Sequence, residues 1–471
     1  MPTAAFANLG CKVNQYEIDK IVDSFVARGF EVADFNQPAD VYVINTCSVT
    51  GSADTKSRYM ARRAARQKDG ARVVLTGCFA QLAIDTGETV AGAALLVPNS
   101  EKMRVADHTL AAFPELVQYS GSPAAVSDGI AVFPEEAGLL SLDVAGARPR
   151  SLGRTRATLK VQDGCEHFCA FCSIPYTRNT MASRRFDAVI EEARVIAHHG
   201  VREVVVTGVC VGAYRDGGIG LADMLLAVAD VPGIERVRLS SIQPIETDEA
   251  LIAAVASHPN ICPHLHLSLQ SGDDTVLKAM QRPYDTGYYR DLVARLRVAV
   301  PGIAITTDII VGFPGETAEL FANTMAFAEE MAFIRAHLFR YSPRQRTYAA
   351  ATFKDDVSDT EKDRRHKALA EVCLRSQAQY ARKLDGQTVP VLVEGRGRQP
   401  GYMSGYTDTY VRVHFPGERA EIGQIVDVTI TGVGDDAEAV ADRCGLVSAA
   451  QLSDEREHSN EQLHLLQNSR A

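Results

Sequence analysis

The chain has 471 residues, 46% of them apolar, and a net charge of −10 with a sequence pI near 5.7. This length predicts about three domains, and the acidic balance argues against a general nucleic-acid coat protein, so a nucleic acid would have to meet a local basic patch. Met1 is followed by no apolar leader, and no run reaches the ~18 apolar residues that a membrane helix needs. With ten cysteines, this pattern predicts a cytoplasmic protein, not bound to a membrane, whose thiols bind metal or react.

The first hundred residues alternate strands with helices. Strands are predicted at residues 4–8, 41–44 and 73–76. Each strand leads into a cysteine: Cys11 in LGC, Cys47 in NTC and Cys78 in TGC. Because the carboxyl ends of parallel strands line one edge of a sheet, these thiols can converge although they lie ~30 residues apart. A single cysteine at such a place would be an ordinary core residue, but three at equivalent positions predict a metal cluster with three protein ligands.

A basic segment separates the second of these strands from the third. Residues 56–72 are predicted to be helical and hold seven positive charges against one acidic residue, Asp69. Such a run forms either a solvated helix face or a surface that contacts phosphate groups, and the sequence leaves both open. Further on, residues 113–150 are rich in small, proline and acidic residues and are predicted to be a connector with a strand-like piece at 129–133.

The middle of the chain alternates strands with amphipathic helical segments about six times. Strands are predicted at residues 158–162, 203–207, 236–240, 265–269, 305–311 and 336–341. This pattern predicts a parallel α/β sheet or partial barrel, whose active-site mouth lies at the strand carboxyl ends. Small and polar residues recur at those ends, among them Thr207, Gly208, Ser268, Gln270 and Gly312. Each alone is an ordinary turn residue, but their recurrence at one edge favours a binding site.

Three thiols follow the first of these strands within eight residues, as Cys165, Cys169 and Cys172 in the spacing C-x3-C-x2-C. Their odd number, in a chain without the features of a secreted protein, argues against a disulfide pair. A structural zinc site usually completes four ligands from two paired clusters, and the sequence has no second C-x2-C or H-x3-H pair. Three close thiolates therefore favour an iron–sulfur cluster with one iron open to another ligand, with zinc and an inert trio as the alternatives.

The C-terminal part changes to short strands after a helical stretch at 360–384. Strands are predicted at residues 389–394, 402–407, 410–415 and 425–431, the pattern of a small β-barrel. Residues 384–447 hold five arginines and ten acidic residues, so this barrel is net negative. Phosphate binding would need one face to gather Arg396, Arg398 and Arg412, with bases stacked on Tyr402, Tyr406 or Tyr410. The polar last ~20 residues predict a frayed tail or helix.

Several strings make the sequence similar to a known family. The loop CEHFCAFC, set in a parallel α/β unit, resembles the S-adenosylmethionine (SAM) radical superfamily. The resemblance narrows to the methylthiotransferase family through LGCKVNQYE, NTCSVT, GCFAQ, CEHFCAFCSIPYTR, LHLSLQSG, MQRPY and DIIVGFPGET. Within that family, LGCKVNQYE and FRYSPRQRT are most similar to the branch that acts on N6-threonylcarbamoyladenosine in tRNA. The resemblance spans about residues 3 to 447.

The resemblance implies an α/β protein with three folded domains. Residues 1–112 would form an N-terminal parallel α/β sheet domain that holds an auxiliary cluster, and residues 151–383 a central partial (β/α)6 radical SAM barrel. Residues 384–448 would form a TRAM domain, a small RNA-binding β-barrel. Residues 113–150 would connect the first two domains, and residues 449–471 would form a tail.

The resemblance also assigns roles to individual residues. Cys165, Cys169 and Cys172 would hold a 4Fe–4S cluster whose open iron binds SAM, and Phe171 would contact the adenine of SAM. The auxiliary 4Fe–4S cluster, which carries the sulfur to be installed, would be held by Cys11, Cys47 and Cys78. Further contacts to SAM would come from Thr207, Gly208, Ser268, Gln270, Asp308 and Gly312.

The implied reaction is radical-based methylthiolation of C2 of N6-threonylcarbamoyladenosine at position 37 of tRNA, with SAM as cosubstrate. The partners would be the anticodon stem-loop of tRNA, a reductant protein such as flavodoxin or ferredoxin, and a sulfur donor. Within the same superfamily, the alternatives are a methylthiotransferase for isopentenyladenosine in tRNA or for a ribosomal-protein aspartate. An alternative of another class is an iron–sulfur, RNA-binding sensor without turnover.

Two positions depart from the family pattern. Asn179 follows YTR where the family usually has glycine, and Cys210 follows TGV where it often has asparagine. Cys210 is predicted to be a core thiol, with an approach to the radical site as the alternative. The cysteines that match no family ligand are predicted only to pack, and they are Cys262, Cys373 and Cys444.

Overall fold

The computed structural model describes residues 1–119 and 154–443. The chain divides into two compact units, the first from Met1 to Cys373 and the second from Leu374 onward. Several predicted features lie outside the described residues, namely the strand-like piece at 129–133, most of the connector, Cys444 and the tail. Within the described ranges, no helix combines the length and the apolar composition that are needed to cross a membrane.

The first unit begins with a five-stranded parallel sheet. Its strands are β1 (Thr3–Asn8), β2 (Glu31–Ala33), β3 (Val41–Thr46), β4 (Arg72–Gly77) and β5 (Leu95–Leu96). Its helices are α1 (Lys12–Val26), α2 (Gly51–Ala64), α3 (Cys78–Thr86) and α4 (Val105–Ala112). The strand order is β2-β1-β3-β4-β5, and every neighbouring pair is parallel. The sequence analysis located β1, β3 and β4 but missed β2 and β5, because two or three residues carry too little periodicity.

The two inner strands of this sheet are buried on both faces. All six residues of β3 and five of the six residues of β4 are buried. Phe25 of α1 belongs to the apolar core on one side, and Phe79 of α3 belongs to the other core. Helices therefore cover both faces of the sheet, as expected for parallel strands, and the carboxyl edge is where a site can open.

The predicted basic helix is too long. α2 ends at Ala64, turns follow, and Arg72 already begins β4. Gly70 lies in those turns with a φ of +77°, a left-handed conformation that does not continue a right-handed helix. Three of the seven cations form ion pairs, which are Arg58–Glu88, Lys68–Asp40 and Arg72–Glu115. Of these three cations only Arg58 lies in α2, so the pairs do not distinguish a solvated face from a phosphate-binding surface.

The larger part of the first unit is built from ten further strands and nine helices of the described chain. The strands are β6 (Arg156–Asp163), β7 (Ala182–Ser183), β8 (Glu203–Gly208), β9 (Arg215–Asp216), β10 (Ile219–Gly220), β11 (Arg236–Leu239), β12 (Ser241–Ile242), β13 (His264–Leu267), β14 (Ala304–Val311) and β15 (Arg335–Arg340). The helices are α5 (Ile174–Thr177), α6 (Phe186–His198), α7 (Leu221–Ala229), α8 (Glu249–Ser257), α9 (Asp274–Ala279), α10 (Thr286–Ala299), α11 (Ala318–Met331), α12 (Tyr348–Thr352) and α13 (Asp359–Arg382), the last of which runs into the second unit.

Six of these strands follow one another around an open barrel. β6, β8 and β11 form parallel pairs, as do β13, β14 and β15. A parallel bridge from Val237 of β11 to Ile261 joins the two groups. This arrangement confirms the predicted partial (β/α)6 barrel. Because its strands run in one direction, the loops after β6, β8, β13 and β14 all open at one end, which we call the barrel mouth.

The second unit contains a closed five-stranded barrel. Its strands are β16 (Thr388–Arg396), β17 (Tyr402–Thr407), β18 (Arg412–Pro416), β19 (Ile425–Val433) and β20 (Ala439–Arg443), in the order β16-β17-β18-β20-β19. The small β-barrel is confirmed, but the sequence analysis missed β20, which closes it by pairing with β18 and β19. The inward residues of β20 are Ala439 and Ala441, and such small side chains give little strand signal.

Two of the three arginines that were predicted to bind phosphate on this barrel already face a carboxylate. Arg398 and Arg412 both pair with Glu438. The rings of Tyr406 and Tyr410 stack on each other with 4.8 Å between their centroids. A phosphate group at this place would therefore have to compete with Glu438 for both guanidinium groups.

Candidate metal centres

Three cysteines meet at the carboxyl edge of the N-terminal sheet, and we call them the auxiliary site. Cys11 lies between β1 and α1, Cys47 follows β3, and Cys78 begins α3 directly after β4. Because β1, β3 and β4 are neighbours, these three positions are adjacent. A Cβ added at Gly10 would lie 2.9 Å from the Sγ of Cys47, which shows how closely the two cysteine segments approach. Cys11 is exposed and the other two are buried, so the site opens to solvent beside Cys11.

The electrostatics of the auxiliary site also reflect this proximity. Burial raises the pKa of Cys47 to about 11, and the neighbouring Cys78 and Cys11 thiols add to the rise. The Sγ of Cys78 accepts a hydrogen bond from Nε of Arg178 at 3.5 Å. Thiols lose their protons when a metal binds, and three thiols around one opening fit a cluster with three protein ligands.

The cysteine loop, residues 165–172, lies at the barrel mouth between β6 and α5. Two backbone hydrogen bonds hold its centre in place. The amide of Ala170 donates to the carbonyl of Met280 at 2.9 Å, and the amide of Ala349 donates to the carbonyl of Ala170 at 2.7 Å. Phe171 is half-buried and packs against the apolar cluster that contains Phe313. The loop is thus tied to two other segments of the barrel mouth.

The three thiols of the cysteine loop lie close enough to influence one another. Nη1 of Arg282 donates a hydrogen bond to Sγ of Cys169 at 2.9 Å. Burial raises the pKa of Cys172 to about 12, and Cys169 and Cys165 add to the rise. The loop offers three thiols as metal ligands, and Arg282 places a positive charge beside one of them. It therefore fits an iron–sulfur cluster that leaves one iron open to another ligand.

The predicted SAM-binding residues lie around the same barrel mouth. Thr207 and Gly208 end β8, and a Cβ added at Gly208 would lie 3.0 Å from Cβ of Gln162 in β6. Gln270 follows β13 with a φ of +77°, and its amide donates to the carbonyl of Asp308 at 2.8 Å. The fold therefore brings residues from three strands to one place, as the strand-end pattern predicts.

The remaining predicted contacts already have partners within the protein. The carbonyl of Ser268 accepts a hydrogen bond from the Tyr284 hydroxyl at 2.6 Å. Oδ2 of Asp308 lies 3.2 Å from Nε2 of His266, inside the barrel. At Gly312 an added side chain would collide with α13. These contacts shape the barrel mouth, and direct contact of these residues and of Phe171 with SAM stays a prediction.

Family models match three segments of the chain. Residues 159–328 match the radical SAM superfamily, residues 3–96 match the uncharacterized protein family UPF0004, and residues 382–435 match the TRAM domain. The threonylcarbamoyladenosine tRNA methylthiotransferase MtaB of Bacillus subtilis (strain 168) is 36% identical over 443 residues, which are 92% of this chain and 95% of that protein. The chain belongs to the radical SAM methylthiotransferase family. The protein of the same name from Chlamydia pneumoniae is 37% identical over 412 residues, covering 87% of this chain and 90% of that protein.

A solved structure supports the fold of this methylthiotransferase-family chain. It is the radical S-adenosylmethionine methyltransferase TsrM of Kitasatospora setae, with cobalamin and a [4Fe-4S] cluster bound. It matches with a TM-score of 0.51 and 15% identity over 86% of this chain and 80% of that one, a likeness that concerns the fold alone. The family matches confirm the sequence-based resemblance and the prediction of an enzyme. Membership of the radical SAM superfamily also implies a 4Fe–4S cluster and SAM, for which the cysteine loop has the matching thiols.

A buried ionic cluster links the two cysteine sites of this methylthiotransferase-family chain. Its members are Glu17, Lys102, Lys160, Asp163 and Arg178. Nη1 of Arg178 lies 2.8 Å from a carboxylate oxygen of Glu17 and 2.8 Å from one of Asp163, while its Nε donates to Cys78. Although burial opposes ionisation, Arg178, Lys102 and Lys160 hold the pKa of Glu17 well below its usual range. The cluster therefore stays charged and connects Cys78 to the strand end that precedes Cys165.

The sequence analysis missed this ionic cluster for a physical reason. A glutamate in a helix usually faces solvent, and nothing local distinguishes Glu17, whose side chain is fully buried, from such a residue. One signal was present, since Glu17 lies in LGCKVNQYE and Arg178 lies in CEHFCAFCSIPYTR, both beside cysteines. A charged residue beside each cysteine motif is therefore the sequence signal for an ion pair between the two sites.

Cys210 lies beside the cysteine loop, so the structure favours the second of the two predictions for this residue. Its Sγ donates a hydrogen bond to Oε1 of Glu246 at 2.8 Å. The hydrogen bond with Cys210 lowers the pKa of Cys165 to about 6. Cys210 is also buried, as expected of a core thiol, but its neighbours are polar. Two other cysteines are buried as predicted, namely Cys262 and Cys373.

Gly164, directly before Cys165, occupies a position where only glycine fits. Its φ is +80°, and an added Cβ would lie 2.9 Å from Cα of Met181 and closer still to the Thr180 carbonyl. We expect Gly164→Ala to destabilise the first unit by ~1–2 kcal/mol for the left-handed backbone and ~1–3 kcal/mol more for overpacking. It should also lower the iron bound by the cysteine loop. Urea unfolding and iron analysis of anaerobically purified protein measure both effects.

Gly200→Ala is the matched control for this glycine. Gly200 has a φ of +76°, but nothing lies within 4 Å of an added Cβ. The control should lose only the backbone contribution and keep its iron. Equal destabilisation by the two substitutions would contradict the steric argument at Gly164.

Proposed function

We propose that this protein methylthiolates C2 of N6-threonylcarbamoyladenosine, at position 37 next to the anticodon of tRNA. The observation that carries the proposal is the pairing of two three-cysteine sites within one compact unit, linked through Arg178. Relatives named for this modification cover nearly the whole chain. A C–H bond of an adenine ring is neither acidic nor electrophilic enough for ordinary acid–base displacement, so a radical route is the chemistry that two such sites support.

Each site would hold one 4Fe–4S cluster through its three thiols, the auxiliary site included. When bound, the two clusters supply the electron that cleaves SAM and the sulfur that is installed. The residues of the chain hold and balance these groups. Arg282 places a positive charge against Cys169, and Arg178 places one against Cys78, which offsets the negative charge of thiolate ligands.

Partners follow from the same chemistry. We propose that the anticodon stem-loop of tRNA is bound with the help of the TRAM barrel, in the cytoplasm. Phe168 of the cysteine loop is 49% exposed and contacts Tyr176 edge to face, an aromatic surface on which a base can stack. A reductant protein such as flavodoxin or ferredoxin would serve the cysteine loop. The exposed side of the auxiliary site at Cys11 would receive sulfur from a donor.

A strain that lacks this gene should contain no 2-methylthio-N6-threonylcarbamoyladenosine in its tRNA and should accumulate the unmodified threonylcarbamoyladenosine. A plasmid copy of the gene should restore the product, because it supplies the enzyme that is proposed to install the sulfur. Mass analysis of nucleosides from digested tRNA measures both species. Persistence of the methylthiolated product in the strain, with no second enzyme that makes it, would refute the proposal.

The alternatives give different results in the same experiment. Loss of methylthiolated isopentenyladenosine, or of a methylthiolated ribosomal-protein aspartate, would point to the other substrates. The sensor without turnover is tested by anaerobic reconstitution with SAM and a chemical reductant. Formation of 5′-deoxyadenosine in that mixture rejects the sensor.

A further inference from the structure

Four side chains with metal-binding or carboxylate groups meet at the start of the cysteine loop, and only one of them has a role so far. We call them the Cys210 cluster, which consists of Cys165, His167, Cys210 and Glu246. The ligand atoms of Cys165, His167 and Cys210 all lie within 4.8 Å of one another. Oε1 of Glu246 lies 2.8 Å from Sγ of Cys210 and 2.8 Å from Nε2 of His167. Two thiols, an imidazole and a carboxylate thus converge.

Three strand ends of the barrel build this cluster. Cys165 and His167 follow β6, Cys210 follows β8, and Glu246 follows β12. Gly212 leaves the room that the carboxylate needs, since an added Cβ there would lie 2.5 Å from Oε2 of Glu246. Cys210 is 4% exposed, and the side chains of Glu246 and His167 are 11% and 25% exposed. The cluster is therefore a shielded site with one accessible side.

The donor set selects one class of cation. Two thiolates and an imidazole are typical ligands of Zn²⁺, which also accepts sites with three protein ligands and an open fourth position. In a tetrahedral site with Zn–S bonds of ~2.3 Å, the ligand atoms lie roughly 4 Å apart or less. The ligand atoms of Cys165, His167 and Cys210 lie within 4.8 Å of one another, which is close to this spacing. A carboxylate that holds the ligand histidine is the usual outer partner, the position that Glu246 occupies. Mg²⁺ and Ca²⁺ prefer oxygen ligands and do not suit this set.

We propose that, before a cluster is built on the cysteine loop, Cys165, His167 and Cys210 bind one zinc-class divalent cation, with Glu246 orienting the histidine. Binding releases the thiol protons of Cys165 and Cys210 to solvent. Because Cys165 also belongs to the cysteine loop, the cation and the iron–sulfur cluster of that loop exclude each other. The exclusion rests on the proposed function, which assigns Cys165 to the cluster, whereas the cation site itself does not depend on it.

Titration of full-length, cluster-free protein with Co²⁺ under anaerobic, reducing conditions tests the cation site. The auxiliary site also offers thiols, so the readout is the difference between the parent protein and its variants. The parent should bind one equivalent more than Cys210→Ser, with the absorption of tetrahedral cobalt thiolate. His167→Ala should lose the same equivalent, and Glu246→Gln should bind it about 10–100-fold more weakly.

Cys373→Ser is the matched control, because Cys373 is also buried but lies outside the Cys210 cluster. This variant should bind cobalt as the parent does. Circular dichroism of each variant, compared with the parent, separates loss of the site from loss of folding. Because His167 is less buried than Cys210, His167→Ala tests the cation site at a position where misfolding is less of a concern. Equal cobalt binding by the parent, Cys210→Ser and His167→Ala would overturn the proposal.

Exclusion is tested by adding Zn²⁺ before reconstitution with iron and sulfide. Zinc should reduce the iron content of the parent more than that of Cys210→Ser, because zinc at the Cys210 cluster also blocks the cysteine loop, whereas zinc at the auxiliary site affects both proteins equally. Without zinc the two proteins should hold the same iron, because Cys210 is not a proposed cluster ligand. Equal iron loss in both proteins would overturn the exclusion. Cobalt binding as expected, together with unchanged tRNA nucleosides in the deletion strain, would instead leave the cation site standing and refute only the proposed function.

Discussion

Replacing Cys165, Cys169 and Cys172 together with alanine should remove about half of the bound iron and abolish formation of 5′-deoxyadenosine. The three thiols share one loop at the barrel mouth, and no other set of three loop cysteines reaches that mouth in the described residues. In the proposed function these thiols are the ligands of the cluster that donates the electron to SAM, so their loss leaves no place for that cluster. Iron and sulfide analysis after anaerobic reconstitution measures the first effect, and chromatography of the reaction with SAM and a reductant measures the second.

The complementary variant replaces Cys11, Cys47 and Cys78 with alanine. It should also lose about half of the iron but retain some reductive cleavage of SAM, because the cysteine loop is intact. A variant with Cys262→Ala and Cys373→Ala controls for the removal of thiols as such and should keep all its iron, since neither residue belongs to the two proposed cluster sites. Unchanged iron in either triple variant would contradict two clusters.

Arg178→Met is expected to destabilise the first unit by ~3–5 kcal/mol. The substitution removes the guanidinium that holds Glu17 and Asp163, and it leaves two buried carboxylates opposite only Lys102 and Lys160. The two lysines still balance the two carboxylate charges, but Oε2 of Glu17 loses the hydrogen bond that Nη2 of Arg178 donates, and a buried charged group without its hydrogen-bond partner is costly. Iron at the auxiliary site should fall as well, because Cys78 loses its hydrogen-bond donor. Anaerobic urea unfolding and iron analysis provide the two measurements.

Arg290→Met is the matched control for this substitution. Arg290 also binds a carboxylate with two nitrogens, at 2.5 and 2.9 Å from Glu330, but both side chains are almost half exposed. Solvent screens such a pair, so the expected loss is ~1 kcal/mol or less. If the two single arginine variants were equally stable, burial would not be what makes Arg178 important.

The secondary structure could be read from the sequence wherever an element is long and its pattern is strong. β3 and β4 are continuous apolar runs, and the barrel strands are spaced by amphipathic helices, so both sheets were predicted in order. The missed strands are short or carry small inward residues, and they are β2, β5, β7, β9, β10, β12 and β20. The helix predicted at 56–72 extended too far because its positive charges continue through the turns that follow Ala64.

The candidate sites also contain features that are local in the sequence and features that depend on distant residues. The spacing of the cysteine loop and the three strand-end cysteines are local properties, and both could be recognised from the letters alone. Cys210 could not be assigned, because its partner Glu246 comes from a different strand end. The predicted phosphate surface on the C-terminal barrel also depends on a residue from elsewhere, since Glu438 reaches Arg398 and Arg412 from another part of the chain.

By itself, the sequence determined the family, the two sets of three cysteines and the order of the domains, because ligand spacing and strand-end position are written along the chain. Only the tertiary structure decided which charges and thiols share one buried environment. Glu17 and Arg178 lie 161 positions apart, and Cys210 and Glu246 lie 36 apart. Whether such residues stay charged, pair or bind a cation depends on how much solvent the packing removes around them, and that is a property of the folded chain.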